Sequence, residues 1–567
     1  MSYQLRASSC QLRASSYQLR ASSYQLRASS RQLRAVGWQL RAALAAAAVV
    51  VAAGATVHAQ ARSAPEWTTQ GADAQRTSWI AADPFISIDS VQKIQFLWKL
   101  KVDNESRQSN ALTAPVAIGN LFTFRGFKSL VIVGGSSNNV YAIDYDFGTL
   151  FWKTHVNYAS GTHEFAGSPR CPGGMTAALT RATSLTPATA LSFFGFARPP
   201  RPARGEVGEP GRGSPRMTPA PPQPPPAARG SDTPARGAAP AGRGPTAVFT
   251  PTSVFALPAD GIVRALNPHT GDLAAAPATL MPANATATGL IWANGVLYAA
   301  TRNSCGSASE AIWAMDWDAE KPPAGTVARR VTSWKSDGSP IGGFAMAADG
   351  TLFVTTGAGT STYSNSIVAL DPKTLAVKNW FSQPGAAFES SPIVFAEGTH
   401  TYVAATAQDG RLYVLDAAAP GGADHKMPLA VTPAVPGRRF AAEGAATWRD
   451  PQGTRWILTA ATNAVIAFKF TPANAAAALT QGWVSRDLVA PRTPAIVNGV
   501  VFALSSGQSG GAPAVLYVLD PATGKDVWNS GKTITSFATA GLAAGTAQVY
   551  VVTFDNTVYA FGIPIAY

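Results

Sequence analysis

The feature that most constrains the fold is a short motif that recurs along the chain, and its best-formed copy is Leu516–Trp528. The motif opens with an apolar run that contains β-branched and aromatic residues, a pattern typical of a buried strand. The stretch from Asp520 to Gly524 is turn sequence, because Pro presets φ, Asp accepts from backbone N–H groups and Gly adopts φ > 0. A second short strand ends in Trp528, whose flat ring suits the gap between two sheets. One such hairpin cannot bury its own faces, so the motif predicts a radial stack of small sheets.

The motif recurs at intervals that suit a repeated four-stranded unit. Its copies begin at Val140, Val263, Ile312, Ile367, Leu412, Val465, Leu516 and Val558. Partner strands lie between these copies, so each copy belongs to about four strands over roughly 45–50 residues, the size of a β-propeller blade. We therefore expect an all-β fold, an eight-bladed β-propeller of four-stranded antiparallel blades, with seven blades as the alternative.

The two ends of the repeat array complement each other. The strand Phe96–Leu100 carries Trp98 but has no turn motif of its own, and the last copy, Val558–Phe561, is followed by too few residues for an outer strand. Pairing of these two strands would close the ring and leave neither chain end as an open sheet edge. We expect this N- to C-terminal pairing.

The chain begins with two segments that we do not assign to the fold. Residues 1–33 repeat every seven residues but offer one large apolar residue per repeat, where a coiled coil needs two. We interpret them as a translated tandem DNA repeat, with a genuine disordered tail as the alternative. Residues 34–59 read as a signal peptide with arginines, an Ala/Val-rich run and small residues at the cleavage positions, so we expect cleavage after Ala59 rather than an uncleaved anchor. The folded region is expected at 64–567.

The basic charge lies outside the predicted fold. The formal net charge is +13, of which the leader to residue 59 contributes +7 and residues 191–243 contribute +5, so the remainder is nearly neutral. Nucleic-acid binding needs a basic folded surface, and we do not expect it. Residues 197–244 are dominated by Pro, Arg, Gly and Ala and are predicted to be a disordered insert within the second blade. The alternative is a docking arm for an anionic partner.

Few residues suggest a reactive centre. The six histidines are scattered without metal-ligand spacing, and the chain has no Gly-x-Ser-x-Gly, phosphate loop or dinucleotide fingerprint. Cys171 and Cys305 both lie in loop-like sequence, and in an exported protein they either pair or stay as two unpaired thiols. The aspartates of the repeat are most simply turn formers.

The pattern Ala/Val-x-Asp-x-x-Thr-Gly-x-x-x-Trp resembles the tryptophan-docking repeat of the pyrroloquinoline-quinone (PQQ) propeller superfamily. The residues that carry the resemblance are Asp520, Gly524 and Trp528 in the full match, Asp144, Gly148 and Trp152 in a good match, and Asp371 with Trp380 in a match that has one extra residue. The N-terminal Trp67, Gly71, Asp73 and Arg76 also look like the opening segment of that superfamily. The resemblance covers nearly all of the chain beyond residue 66 except the insert.

The resemblance implies two functions. Quinoprotein dehydrogenases hold PQQ and a calcium ion in the central funnel and oxidise alcohols or sugars. Non-catalytic members, such as the propeller subunit of the outer-membrane β-barrel assembly machinery, use the ring as a binding platform. Many of the alcohol dehydrogenases have two adjacent cysteines over the cofactor, whereas Cys171 and Cys305 are far apart in this chain.

We expect the chain to be closer to the non-catalytic branch. The expectation is an exported binding or scaffold protein without a cofactor, periplasmic or secreted, monomeric, whose partner is another envelope protein or an extracellular ligand. The alternative is a PQQ- and calcium-dependent dehydrogenase, for which the resemblance implies cofactor binding by Glu389, Glu443 and Asn303. Otherwise these three residues line a wet channel.

Overall fold

The structure is a computed structural model that describes residues 66–565, apart from 124–125, 159–166, 184, 186–252, 318–328, 436–438 and 473–476. The heptapeptide repeat at 1–33, the signal peptide at 34–59 and the insert at 197–244 lie outside the described residues. The described residues form 33 strands and two short 3₁₀ helices, Ile88–Lys93 and Cys305–Ser307. The prediction of an all-β fold is confirmed.

The strands fall into four-stranded antiparallel units, numbered here in chain order. Before the units come β1 (Trp79–Ile80) and β2 (Gln95–Lys101). Unit 1 contains β3 (Val116–Thr123), β4 (Gly126–Gly134), β5 (Asn139–Asp144) and β6 (Thr149–His155). Unit 2 contains β7 (Thr180–Thr183), β8 (Val254–Ala256), β9 (Ile262–Leu266) and β10 (Ala278–Thr279). Unit 3 contains β11 (Thr286–Ala293), β12 (Val296–Arg302), β13 (Ala311–Asp316) and β14 (Val331–Lys335).

The remaining units follow the same order. Unit 4 contains β15 (Ile341–Met346), β16 (Leu352–Thr356), β17 (Ser366–Leu370) and β18 (Val377–Ser382). Unit 5 contains β19 (Ile393–Glu397), β20 (His400–Thr406), β21 (Leu412–Asp416) and β22 (Ala430–Val431). Unit 6 contains β23 (Phe440–Arg449), β24 (Arg455–Ala461), β25 (Val465–Thr471) and β26 (Ala478–Val484). Unit 7 contains β27 (Ala495–Val497), β28 (Val500–Ser505), β29 (Val515–Leu519) and β30 (Asp526–Asn529), and unit 8 contains β31 (Ala543–Gly545), β32 (Gln548–Val552), β33 (Thr557–Gly562) and the early strand β2.

The recurring motif of the sequence is the third strand of every unit. Parallel pairing of β7 with β11 joins units 2 and 3 into one eight-stranded sheet, and β1 adds a fifth, parallel strand to β27 of unit 7. Most residues of the third strands are buried, as their apolar sequences predict. The core therefore consists of layers between neighbouring units.

The predicted closure of the ring is confirmed. Strand β2 pairs antiparallel with β33, with Trp98 opposite Ala560 and Leu100 opposite Val558. The N-terminal strand is thus the outermost strand of the C-terminal unit, and this unit has no unpaired third strand. Closure removes a sheet edge that would otherwise be open to pairing with another chain.

Three docking tryptophans contact the turn of the next unit rather than their own. The indole Nε1 of Trp98, Trp152 and Trp483 donates to the carbonyl oxygens of Tyr145, Pro268 and Pro521, at 2.7, 2.7 and 2.8 Å respectively. The turn glycines under these rings are Gly148, Gly271 and Gly524, with φ of +61°, +77° and +70°. A Cβ atom on these glycines would lie 2.5, 2.6 and 2.3 Å from the indole carbons, so the contact requires residues without a side chain.

The turn aspartates complete the same structure. Asp520 Oδ1 accepts hydrogen bonds from Ala522 N at 3.1 Å, Thr523 N at 2.8 Å and Thr523 Oγ1 at 2.8 Å. Asp371 accepts equivalent bonds from Lys373 and Thr374. These carboxylates therefore stabilise the turn on which the preceding tryptophan packs.

The turns of units 4 and 5 differ from this pattern. In unit 4 the glycine position is held by Leu375, a buried residue with φ of +55°. In unit 5 a longer loop replaces the turn, and the imidazole of His425 stacks on Trp380 with the ring centroids 3.6 Å apart. A His425 ring nitrogen also lies 3.0 Å from the Trp380 carbonyl oxygen. The stacked histidine thus supplies the surface that a turn glycine offers elsewhere.

Candidate functional site

A single N-terminal stretch, residues 66–83, contacts every unit of the ring and is called the axial segment here. Its contacts, in unit order, are Trp67 with Ala117, Thr68 with Arg181, Thr69 with Leu290, Ala74 with Met346, Gln75 with Val394, Thr77 with Thr447, Ser78 with Ile496 and Asp83 with Ala547. Most of these are backbone hydrogen bonds to the first strand of the unit. One short stretch therefore reaches the first strands of seven units and the turn after the first strand of the eighth, so it lies among the first strands of the ring.

A buried arginine forms the centre of the axial segment. Arg76 is 5% exposed, and its guanidinium donates from Nε to Phe344 O at 3.3 Å and from Nη2 to Gly289 O at 2.7 Å. Nη1 donates to the hydroxyl of Thr69 and to the carbonyl of Gln70. Burial lowers the pKa of Arg76 to about 10, so the group stays charged at neutral pH. Its planar donors tie the axial segment to units 3 and 4.

The carboxylate of Asp73 is also hydrogen-bonded. Asp73 Oδ1 accepts from Thr77 N at 3.0 Å and Oδ2 accepts from Thr77 Oγ1 at 2.5 Å. Burial raises the pKa of Asp73, an effect that these hydrogen bonds and the charge of Arg76 oppose. Both titratable groups at the axis are therefore used to hold the axial segment in place.

An axial pocket opens beside this segment. It encloses about 470 Å³, including the solvent at its mouth. Arg76 contributes to one wall, and Ser391, Gly444 and Thr493 contribute to the walls formed by units 5, 6 and 7. Gly444 has φ of +104°, and a Cβ atom there would lie 2.8 Å from Ser391 O, so a small residue is required. The lining combines small and polar groups with the apolar side chains of Trp67, Ile393 and Leu542.

A strained loop lies close to this pocket. In the loop of residues 302–310, called the Arg302 loop, Asn303, Ser304 and Ser307 have φ of +65°, +50° and +61°. Left-handed backbone costs a non-glycine residue roughly 1–2 kcal/mol. Such a conformation persists where the surroundings determine it.

Three contacts hold the Arg302 loop. Cys305 forms a disulfide with Cys171, with Cα atoms 5.7 Å apart. Asn303 Nδ2 donates to Arg170 O at 2.9 Å. Glu310, at the end of the loop, accepts from Ser304 N at 3.0 Å and from Ile341 N at 3.1 Å. The loop is thus fixed both to the segment that precedes unit 2 and to the first strand of unit 4.

Arg302 is the charged group of this neighbourhood. Its Nη2 lies 3.5 Å from Glu389 O, a long hydrogen bond. Burial lowers its pKa, and the nearby carboxylates of Glu310 and Glu389 oppose that shift. Within the described residues, neither carboxylate forms an ion pair with Arg302. Glu389 is two residues from Ser391, which lines the axial pocket.

The three residues predicted for cofactor binding lie at or near three different strands. Glu389 precedes β19, and its Oε2 accepts from Gln408 Nε2 at 2.8 Å. Asn303 follows β12, and its Nδ2 donates to Arg170 O. Glu443 lies in β23, but its side chain is outside the described residues. The sequence prediction missed Arg302 and the structural role of Arg76, although a charged residue at the end of the apolar strand β12 was a usable signal.

These residues do not fit a calcium–PQQ centre well. Calcium takes six to eight oxygen ligands, often from carboxylates. Here the guanidinium of Arg302 is beside Glu389 and would repel a divalent cation, and both oxygens of Glu310 already accept backbone N–H groups. In the part of the chain that the structure describes, no three His, Cys, Asp or Glu side chains form a group that could hold a metal ion.

The comparisons with known proteins support the fold. No protein-family profile and no curated protein sequence matches the chain. Among solved structures, a quinohemoprotein alcohol dehydrogenase from Comamonas testosteroni matches with a TM-score of 0.52 and 14% identity over 91% of this chain and 83% of that one. The quinohemoprotein alcohol dehydrogenase ADHIIG from Pseudomonas putida HK5 matches with a TM-score of 0.53 and 11% identity over 89% and 81%.

A weaker likeness connects the chain to BamB from Moraxella catarrhalis, with a TM-score of 0.46 and 12% identity over 84% of this chain and 99% of that one. The chain shares the β-propeller fold of the two alcohol dehydrogenases, and the repeated motif predicted a β-propeller. Among the described residues, no helix has the length and apolar character needed to span a membrane.

Proposed function

We propose that this protein is an exported, non-catalytic β-propeller that binds a ligand or partner at the axial pocket and the adjoining Arg302 loop. The observation that carries the proposal is that hydrogen bonds within the protein already occupy the charged groups around the axis. Arg76 and Asp73 hold the axial segment, and both oxygens of Glu310 accept backbone N–H groups. A general base needs a carboxylate that is free to accept a proton from substrate.

The walls of the pocket also favour binding. Small residues such as Ser391 and Gly444 leave space in the pocket. The Arg302 loop beside the pocket is held by a disulfide and carries Arg302. Rigid presentation of polar groups lowers the entropic cost of binding. The protein then acts in the periplasm or outside the cell, after removal of a signal peptide that ends at Ala59.

The test compares binding with catalysis. Purified protein is incubated with PQQ and Ca²⁺, and quinone absorbance and dye-linked oxidation of alcohols and sugars are measured. We expect neither signal, and an envelope extract passed over immobilised protein should yield a retained partner. Quinone uptake together with dye reduction would replace the proposal with the dehydrogenase function. N-terminal sequencing of the exported protein tests the cleavage site.

The dehydrogenase is the second candidate, and it is supported by the fold that the chain shares with two quinohemoprotein alcohol dehydrogenases. In that function, PQQ would supply the oxidising quinone, and Glu389 and Asn303 would contribute oxygen ligands to its calcium ion. Arg302 would have to turn away from Glu389 for the cation to bind. Arg302→Ala should therefore promote PQQ and Ca²⁺ uptake if this candidate is correct.

A further inference from the structure

The guanidinium of Arg302 has far more hydrogen-bonding capacity than its contacts use. An arginine has five N–H donors arranged as a planar fork. Within the described residues, the hydrogen bonds of Arg302 consist of one 3.5 Å contact to the Glu389 carbonyl oxygen. Arg76, in contrast, donates to four oxygen atoms. Arg302 is nevertheless buried enough for its pKa to be lowered.

Arg302 is half-buried, and the guanidinium donors that the protein leaves unused can bind a ligand that completes the hydrogen-bonding shell. The two carboxylates near Arg302 do not complete it. Glu310 directs its oxygens at the backbone amides of Ser304 and Ile341, and Glu389 directs one oxygen at Gln408. Side chains that could form ion pairs are therefore held apart from the arginine by other bonds.

The position of Arg302 is fixed rather than incidental. The loop that begins with Arg302 is held in left-handed conformations by the Cys171–Cys305 disulfide and by hydrogen bonds to Asn303 and Ser304. Left-handed residues that are held by several constraints commonly occur at binding sites. The loop presents the fork of Arg302 next to the segment that lines the axial pocket.

We propose that Arg302 is the anchor of an oxyanion-binding site, which takes the carboxylate or phosphate group of a small molecule. This inference rests on the proposed binding function and specifies the chemistry of the ligand. The planar fork of arginine binds such groups with two parallel hydrogen bonds. Glu389 and Glu310 reduce the local positive potential, so the site favours weak, exchangeable binding.

Glu389 allows the charge argument to be tested, because replacing Arg302 and replacing Glu389 should change oxyanion binding in opposite directions. Removing the charge of Arg302 removes the anchor, whereas removing the charge of Glu389 removes a repulsion between the site and its ligand. Arg302→Gln should weaken oxyanion binding at least about tenfold, and Arg302→Lys should weaken it by less, since lysine keeps the charge but loses the fork. Glu389→Gln should strengthen binding about threefold or more. A purely structural arginine would not produce opposite effects of these two changes.

The experiment is calorimetric titration of the purified full-length protein in calcium-free buffer with citrate and, separately, inorganic phosphate. Arg330→Gln is the control, because Arg330 is exposed, belongs to the same unit and carries the same charge. Binding that is lost in Arg302→Gln, strengthened in Glu389→Gln and unchanged in Arg330→Gln supports the site, and the probe that binds identifies the group. Added salt should weaken it.

Absence of binding by both probes, or equal binding by wild type and Arg302→Gln, overturns the inference. Circular dichroism of each variant checks folding, and Arg302→Lys and Glu389→Gln keep the test decisive if Arg302→Gln unfolds. Failure of the oxyanion site would leave the partner capture and PQQ measurements unaffected. Uptake of PQQ with dye reduction would refute the proposed function whatever the titrations show.

Discussion

The contact between Trp98 and Gly148 provides a direct test of how the ring is held closed. Gly148 lies in the turn of unit 1, with φ of +61°, and Trp98 belongs to the strand that completes unit 8. Gly398 has nearly the same conformation, with φ of +59°, but a Cβ atom there would have no neighbour within 4 Å. Gly398→Ala is therefore a matched control for Gly148→Ala.

Gly148→Ala and Gly398→Ala have the same unfavourable backbone conformation, but they differ in how the new methyl group packs. Alanine at φ near +60° costs about 1–2 kcal/mol, partly offset by the lower entropy of the unfolded chain. At Gly148 the new methyl group would lie 2.5 Å from Cγ and Cδ2 of Trp98, and the ring must retreat by about 1 Å to reach ordinary contact. Overpacking costs about 1–3 kcal/mol, and loss of the Trp98–Tyr145 hydrogen bond adds about 1 kcal/mol. Gly148→Ala should therefore be less stable than Gly398→Ala by roughly 2–4 kcal/mol.

The assay is denaturant unfolding followed by circular dichroism, with hydrogen exchange of residues 96–100 as a local probe, because a ring of this size need not unfold in two states. The expected results are a lower midpoint and faster exchange in Gly148→Ala than in Gly398→Ala. In a Trp98→Ala background, Gly148→Ala should cost no more than the control. Equal stability of the two single variants would refute the docking argument, since both have the same backbone conformation.

Three further predictions concern the axis and the disulfide. Arg76→Lys should destabilise the protein by roughly 2–4 kcal/mol in denaturant titrations, because lysine has three donors and lacks the planar fork; unchanged stability would contradict the role of Arg76. Because burial raises the folded-state pKa of Asp73, its contribution to stability is lost as pH rises above its ordinary pKa of 3.8. Asp73→Asn should therefore gain stability relative to wild type between pH 4 and the raised value, and a pH-independent difference would be contrary evidence. Replacing Cys171 and Cys305 together with alanine should cost about 2–4 kcal/mol, measured against wild type with and without reductant, and reductant should have no effect on the double variant.

The repeated strands and the ring closure could be predicted because their signals are local. The turn from Asp520 to Gly524 determines its own geometry through neighbouring side chains, and the apolar run before it needs burial. The closure followed from a strand at Phe96 that lacked a turn and a final copy at Val558 that lacked an outer strand. In both cases the incomplete element was visible in the sequence itself.

The site could be predicted less well because its contacts are distant in sequence and largely made by the backbone. The axial segment contacts the units through main-chain hydrogen bonds, such as those of Ala74 and Gln75, which leave no side-chain pattern. Arg302 interacts with a residue 87 positions away. The sequence pointed to Glu389 and Asn303 through the resemblance, but it could not show that Arg302 donates to the carbonyl oxygen of Glu389.

Two kinds of contact hold the ring together: one kind connects neighbouring units, and the other connects all units. Each docked tryptophan connects one unit to its neighbour, as Trp152 connects unit 1 to the Pro268 turn of unit 2. The axial segment instead connects all units at once, and Arg76 alone donates to carbonyl groups of units 3 and 4. Because the segment occupies the axis, the space that remains for a ligand lies at its side, where Ser391 and Thr493 line the pocket. In the proposed function, the binding surface is the mouth of this pocket together with the Arg302 loop.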